Sequence, residues 1–153
     1  MYIKIDIEPV ACPRPKVTRY ATFYPKRYTQ WRERMLIKLS PLPMIEEELL
    51  EIDLKFIMKR PKSKHRRKDL DQRYPHTKKP DIDNLIKGVF DALQKASVIR
   101  EDSLIWRVSA QKEVASKSES PSIIIHIKRG GTSDNPSSSH ITKQSKQTSR
   151  GIY

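Results

Sequence analysis

The chain holds one cysteine, Cys12, in 153 residues, so it has no internal disulfide framework. Four scattered histidines beside that lone thiol offer no zinc-ligand spacing, and Cys12 reads as a loop or packing residue. Glycine is scarce as well, with four in all, which argues against a glycine-rich nucleotide loop. No apolar run approaches the roughly 20 residues needed to span a bilayer. No charged-then-apolar N-terminal segment reads as a signal peptide, so a cytoplasmic location is expected. Negative charge is also in short supply: 18 acidic residues face 31 Lys and Arg, for a net charge of +13. A single-domain chain of this size with that imbalance points to a polyanionic partner.

Against that background, acid gathers around one stretch, Lys79-Pro80-Asp81-Ile82-Asp83-Asn84-Leu85-Ile86-Lys87-Gly88-Val89-Phe90-Asp91-Ala92-Leu93. Pro80 fits badly inside a helix, so a helix begins after it. Ile82, Leu85, Ile86, Val89 and Leu93 recur at helical spacing and form the buried stripe. Asp83, Lys87 and Asp91 follow at i, i+4, i+8 and form a polar row. Glu101 and Asp102 come next, just before an apolar-rich run that reads as a strand. Mg²⁺ takes oxygen ligands, keeps several waters and is commonly held by one or two carboxylates plus substrate phosphate. Asp81 and Asp83 flank a helix start and could converge on such an ion. Asp102 could join them if the following strand pairs close to that helix end. Lys87, one turn beyond Asp83, could contact the scissile phosphate or stabilise developing charge. The alternative from the residues alone is plainer: aspartates that cap the helix, and a solvated Asp-Lys-Asp ion-pair face.

The rest of the chain sets the frame. Residues 2–8 alternate apolar and polar as a half-buried strand. Pro9, Pro13 and Pro15 open a loop in which Arg14, Lys16, Arg19 and Tyr20 mix cations with an aromatic that could stack on an unpaired base. Residues 25–39 read as a helix with a core stripe of Tyr28, Trp31, Met35 and Leu39. The acidic run at 46–48 reads as a solvated turn. Residues 50–59 form a strand with Ile52, Leu54, Phe56 and Met58 on one face and Asp53 and Lys55 on the other. Residues 60–79 are a flexible cationic loop carrying Lys62, Lys64, Arg66, Arg67, Lys68, Arg73, Lys78 and Lys79, and it leads directly to Asp81. Such a loop would guide DNA phosphates to the carboxylates. Asp69 and Asp71 within it are decoys, because no amphipathic helix follows them. Strands are expected at 103–114, with Trp106 packed and Lys112 placed to meet phosphate, and at 122–128. Residues 129–153 are Gly-, Ser-, Thr- and Lys-rich and read as a disordered basic tail, leaving a domain of residues 1–128. The order β-α-β-α-β-β makes an α+β fold: a small mixed sheet carrying two main helices.

The central motif, with Glu101-Asp102-Ser103 after it and Pro13-Arg14-Pro15-Lys16-Val17-Thr18-Arg19 before it, resembles the signature of the RusA family of Holliday-junction resolvases. The family shows Asp-x-Asp-Asn-Leu-x-Lys, then Asp-Ala-Leu, then paired acidic residues before a strand; the resemblance spans roughly residues 1–128. It implies a Mg²⁺-dependent endodeoxyribonuclease, with Mn²⁺ a possible substitute, that works as a homodimer and resolves four-way DNA junctions by paired symmetric nicks. By motif position, the metal-binding and catalytic carboxylates are Asp81, Asp83 and Asp102, and Lys87 is the essential lysine. Glu101 stands where the family often has Asp. Asp91 matches a recurrent family position and reads as structural or as a support behind the metal ligands. The same resemblance turns Arg14, Lys16 and Arg19 towards DNA contact, alongside Lys62, Lys64, Arg66, Arg67, Lys78 and Lys79. The rival readings are a non-catalytic junction-binding protein and a metal-dependent nuclease of another branched nucleic acid.

Overall fold

In the computed structural model, which describes residues 1–46 and 49–130, the alternating run at the chain's middle becomes the centre of a five-stranded sheet. That strand, β4, covers Leu50–Met58 and buries Leu50, Ile52, Leu54, Phe56 and Met58 on one face. The other strands are β1 (Tyr2–Ile5), β5 (Tyr74–Pro75), β6 (Ile105–Val114) and β7 (Ser122–Arg129), in the order β1-β7-β4-β6-β5. β4 pairs parallel with β6, and every other pairing in this sheet is antiparallel. A parallel pair needs a crossover, and helix α2 (Ile82–Lys95) supplies it. Helix α1 (Lys26–Leu39) packs beside α2 over the same sheet face. The expected mixed α+β architecture and the order of its six main elements are therefore what the chain adopts.

The two helices form where the periodicity placed them. α1 buries Tyr28, Trp31, Met35 and Leu39; α2 buries Leu85, Gly88, Val89, Ala92 and Leu93. Each large aliphatic side chain removed from water in this way contributes about 1.5–3 kcal/mol. Gly88 is required by close approach: a Cβ there would stand 3.3 Å from the Trp31 ring and 3.5 Å from the Val10 carbonyl oxygen. The Cys12 amide also donates to the Asn84 carbonyl at 2.9 Å, so the loop after β1 lies directly on the first turns of α2.

The opposite sheet face is polar. Asp53 of β4 pairs with Lys128 at 2.6 Å and lies 3.9 Å from His126, while Glu51 pairs with Arg107 at 3.2 Å. Accepting a hydrogen bond from Lys128 holds the Asp53 carboxyl below its ordinary range. Asp53 is a sheet-face ion-pair partner, in keeping with its place opposite the core.

Two small elements lie within segments expected to be loops. β2 (Lys16–Val17) and β3 (Thr22–Phe23) form a separate two-stranded hairpin, and β5 adds a short edge to β6. Trp106 departs from expectation: it is 58% exposed, and its indole lies against Gly130, where a Cβ would stand 2.4 Å from the ring nitrogen. Residues 47 and 48 of the acidic run, and residues 131–153 of the expected tail, lie outside the described residues. No helix among the described residues is long and apolar enough to cross a membrane.

Candidate active site and nucleic-acid interface

Asp81 occupies the N-cap of α2 in extended conformation, at φ −71° and ψ 145°, yet its side chain makes no capping hydrogen bond. Asp83 sits in the first turn. Both are exposed, as is Lys87 one turn further along. Lys87 forms no ion pair with Asp83, and among the described residues neither aspartate bonds another side chain. Capping and surface pairing thus leave these three charged groups unused. Two uncommitted carboxylates on adjacent turns of backbone are a donor set that suits a hard divalent cation retaining part of its water shell.

The backbone leading into the site is held from β6. Lys112 is half-buried, and its ammonium donates to the carbonyl of Lys78 at 2.7 Å and of Pro80 at 2.5 Å. The Lys79–Pro80 peptide between those carbonyls is cis. The His76 amide donates back to the Lys112 carbonyl at 2.9 Å. The expectation that Lys112 meets phosphate is corrected here: its ammonium is turned onto the protein's own backbone. Burial and the Lys112 charge beside it push the His76 imidazole below its ordinary 6.5, so it is neutral at physiological pH.

Asp91, the third member of the polar row, turns inward. Its carboxylate lies 3.9 Å from Cys12 Sγ, in a pocket shared with Tyr28. Burial, with Cys12 adjacent, raises the Tyr28 phenol far above its usual range, so the phenol stays protonated as the cluster packs the Cys12 loop between α1 and α2. The contact fits the structural alternative for Asp91, and Cys12 is buried there.

Asp102 opens a single 3₁₀ turn, Asp102–Leu104, immediately ahead of β6. It is exposed and bonded to no other side chain among the described residues, whereas Glu101 accepts from the Ser103 hydroxyl at 3.0 Å. Ile105 pairs with Leu50 at the beginning of β4, and Lys112, beside Pro80, lies opposite Phe56 near its end. The strand between Ile105 and Lys112 covers about 23 Å at roughly 3.3 Å per residue. Asp102 therefore stands at one end of β6, and Asp81 and Asp83 at the other. Among the described residues no group of three His, Cys, Asp or Glu side chains comes together to hold a metal.

Two exposed cationic segments precede α2 in the chain. Arg14, Lys16 and Arg19 are exposed on or beside the β2–β3 hairpin, which begins at Lys16, four residues after the Cys12–Asn84 bond. Thr18 closes its tip by accepting from the Ala21 amide at 3.1 Å and donating to the Ala21 carbonyl at 2.9 Å. Tyr20 projects there, 89% exposed, with the Arg19 guanidinium 5.9 Å from its ring centroid. Residues 60–79 are better ordered than a flexible loop. Arg60, only 6% exposed, donates to the carbonyls of Lys64, Gln72, Leu70 and Ala115 at 2.8–3.1 Å and lies over the Tyr74 ring. That hub leaves Lys62, Lys64, Arg66, Arg67, Lys78 and Lys79 exposed on the outside. Arg73 is spent on Glu113 and Glu119. The decoy aspartates hold backbone: Asp69 accepts from the Arg66 amide and Asp71 from the Lys117 amide. Sequence reasoning missed Arg60, because its four carbonyl partners are spread over 51 residues of chain from Lys64 to Ala115.

A mixed-sheet α+β body with exposed, uncommitted carboxylates at a helix start and exposed cationic segments ahead of it is consistent with a protein that works on nucleic-acid phosphodiesters. The chain belongs to the RusA family of endodeoxyribonucleases, the crossover (Holliday) junction nucleases: the family profile described as Endodeoxyribonuclease RusA matches residues 6–128. It is 30% identical over 125 residues to the crossover junction endodeoxyribonuclease RusA of Aquifex aeolicus (strain VF5), a match covering 76% of this chain and 84% of that protein. Nucleases of this family depend on a metal ion.

Proposed function

We propose that this chain resolves four-way DNA junctions by paired nicks, with Asp81 and Asp83 as the metal-binding carboxylates, Asp102 as the third carboxylate and Lys87 beside the scissile phosphate. The reading rests on one observation above all: three charged groups that ordinary helix chemistry would consume, Asp81, Asp83 and Lys87, stand exposed and unpaired on the first turns of α2. Mg²⁺, with Mn²⁺ as a substitute, would supply the Lewis acid and lower the pKa of a bound water so that it can attack phosphorus.

The chain's own residues account for the remaining parts. Lys87 places a positive charge where negative charge develops on the phosphoryl oxygens. Lys112 fixes the backbone from which Asp81 projects, so the donors meet the substrate already oriented. Arg14, Lys16 and Arg19 on one side, and Lys62, Lys64, Arg66, Arg67, Lys78 and Lys79 on the other, bind the phosphates of the junction arms. Tyr20, at the hairpin tip, is free to stack on a base at the open centre of a junction, a contact worth about 1–3 kcal/mol per base. Two such sites in a homodimer, related by a two-fold axis, match the symmetry of a four-way junction and give paired cuts.

The test is cleavage of a labelled four-way junction with Mg²⁺, Mn²⁺ or a chelator, by the native chain and by Asp83→Asn. Symmetric nicks by the native chain that the chelator and the substitution both abolish, with junction binding retained or tightened, are expected. Tight junction binding without cleavage in any metal would establish the non-catalytic binding reading instead.

A further inference from the structure

The loop after β1 and the segment leading to Asp81 do not close on each other. Between them lies a cavity of about 410 Å³ whose walls include Glu8, Val10, Arg27, Lys59, Lys79 and Pro80. A smaller cavity of about 160 Å³ adjoins it along α1, sharing Glu8, Val10 and Arg27 and adding Gln30, Trp31 and Arg34. Together they make one groove. It starts at Pro80, the residue before the Asp81 N-cap, and runs along the first turns of α1.

The groove is cationic, and its cations are idle. The side chains of Arg34, Lys59 and Lys79 are exposed and have no ion-pair or hydrogen-bond partner among the described residues. Arg27 reaches only Glu8, the one carboxylate of the groove, at 3.8 Å. Those two side chains are 72% and 42% exposed, so the pair is too loose and too well solvated to hold either group. One donor in the wall is also unused. Trp31 is 3% exposed, yet its indole N–H has no acceptor. A buried donor left without an acceptor is costly and rare.

Both walls are fixed before any ligand arrives. The Val10 carbonyl and the Trp31 ring lie against Gly88, and the Cys12 amide donates to the Asn84 carbonyl, so the loop after β1 is seated on α2. On the other side Lys112 holds the Lys78 and Pro80 carbonyls. We propose that this groove is a phosphate subsite: it seats the backbone of the DNA strand being cut, along the stretch that leads from Asp81 towards α1. Arg27 leaves Glu8 for phosphate oxygens, Lys59 and Lys79 flank it, Arg34 neutralises the far end, and the Trp31 indole offers a neutral donor. An arginine fork takes phosphate through two parallel hydrogen bonds, which the point charge of a lysine cannot, so Arg27 sets position while the lysines add charge. Glu8 competes with phosphate for Arg27 and limits affinity. The assignment rests on the nuclease reading above and adds to it a fixed path for the strand.

Charge variants with matched controls test this. Arg27→Ala and Glu8→Gln alter the groove, whereas Lys38→Ala and Glu33→Gln make the same charge changes at exposed positions of α1 outside it. Junction binding is measured in chelator across a range of salt, and single-turnover cleavage in Mg²⁺. Arg27→Ala should weaken binding about tenfold and lower the salt slope by about 0.9, the value for one phosphate no longer neutralised. It should also slow cleavage about tenfold, because the strand is held less well beside Asp81. Glu8→Gln should tighten binding about threefold, while both controls match the native chain. Groove variants that behave like their controls would overturn the proposal. A native chain that never cuts, with the groove variants still shifting affinity as stated, would defeat the nuclease reading and leave the phosphate subsite in place.

A second arm reads the groove without cleavage. The chain has two tryptophans, so the indole N–H signal of Trp31 is the one that survives Trp106→Phe. The ¹⁵N-labelled native chain in chelator is titrated with a four-way junction and, separately, with inorganic phosphate. The junction should shift the Trp31 indole signal, and the same shift should need about tenfold more DNA in Arg27→Ala. A Trp31 signal that stays still while the junction binds would overturn the subsite. Inorganic phosphate that moves it over the same concentration range as the junction would overturn the strand assignment, because the groove would then hold a free anion as well as it holds DNA.

Discussion

Lys112 Nζ lies 2.5 Å from the carbonyl oxygen of Pro80, the residue immediately before the Asp81 N-cap. One ammonium on a sheet strand thereby sets the point from which α2 begins. A side chain spent in this way cannot also bind DNA, so its removal should be read in catalysis more than in affinity. Lys112→Met keeps most of the aliphatic stem and deletes the donors, leaving the Lys78 and Pro80 carbonyls unpaired. The expected result is a kcat reduced about 10- to 100-fold, through misplacement of Asp81 by a fraction of an ångström, with junction Kd changed less than about threefold. A Kd that weakens as much as kcat would mean that Lys112 contacts phosphate after all.

Lys87 makes a different prediction. It stands exposed, without an ion-pair partner, on the face that holds Asp83. If it stabilises charge that appears only in the transition state, Lys87→Ala should lower kcat by about 10²–10³ and leave binding of an uncut junction nearly intact. Folding should hardly change, because an exposed helix position contributes a few tenths of a kcal/mol. Single-turnover rates at saturating enzyme, beside gel-shift affinities, separate the two effects. Equal losses in rate and affinity would reduce Lys87 to an ordinary phosphate contact.

How much of this could be read in the sequence differs from element to element. β4 was legible because Ile52, Leu54, Phe56 and Met58 alternate with Asp53 and Lys55, a period that only a half-buried strand explains. α1 and α2 were legible for the same reason at the helical period. The β2–β3 hairpin was not, since it pairs only two residues on each side and its apolar members, Val17 and Phe23, are exposed. Trp106 misled because a large aromatic in a strand is ordinarily covered, whereas here it falls at a bulge, between Ile105 paired with Leu50 and Arg107 paired with Glu51, and stays 58% exposed. The carboxylates of the candidate site were legible as types and spacings. What spacing cannot express is the direction of travel: Asp102 follows Asp83 by nineteen residues, and the crossover spends them in moving to the opposite end of the sheet. Arg60 was invisible because its role depends on carbonyls, which every residue possesses.

The Arg60 hub yields a prediction that links stability to DNA affinity. Arg60→Met removes a buried guanidinium that satisfies four carbonyls, and it should cost about 3 kcal/mol while loosening residues 60–79. By contrast, Lys64→Ala, Arg66→Ala and Arg67→Ala together should leave stability almost unchanged. They should weaken junction binding and flatten the plot of log K against log salt by about 0.9 for each phosphate that is no longer neutralised. Chemical denaturation and salt titrations measure the two quantities separately. An unchanged salt slope in the triple variant would show that this side of the loop faces away from DNA.

His76 should make the site's supporting loop sensitive to acid. Burial, and then the positive charge of Lys112, hold its folded pKa below the ordinary 6.5, so the unfolded chain takes up the proton more readily than the folded one. The sign follows from that difference: stability from this group is fully present above about pH 6.5 and is lost as pH falls towards the folded value. Protonation would also set an imidazolium against the Lys112 ammonium that holds Lys78 and Pro80. Thermal melts of the native chain from pH 8 to pH 5 should show a declining Tm below about pH 6.5, and His76→Gln should remove part of that decline. The carboxylates that titrate lower, Asp53 and Glu119, are held down by Lys128 and Arg73 and begin to lose their pairing only at more acidic pH. A His76→Gln chain whose Tm follows the native one across the whole range would mean that the imidazole does not sense Lys112, and that acid acts on the fold through those carboxylates alone.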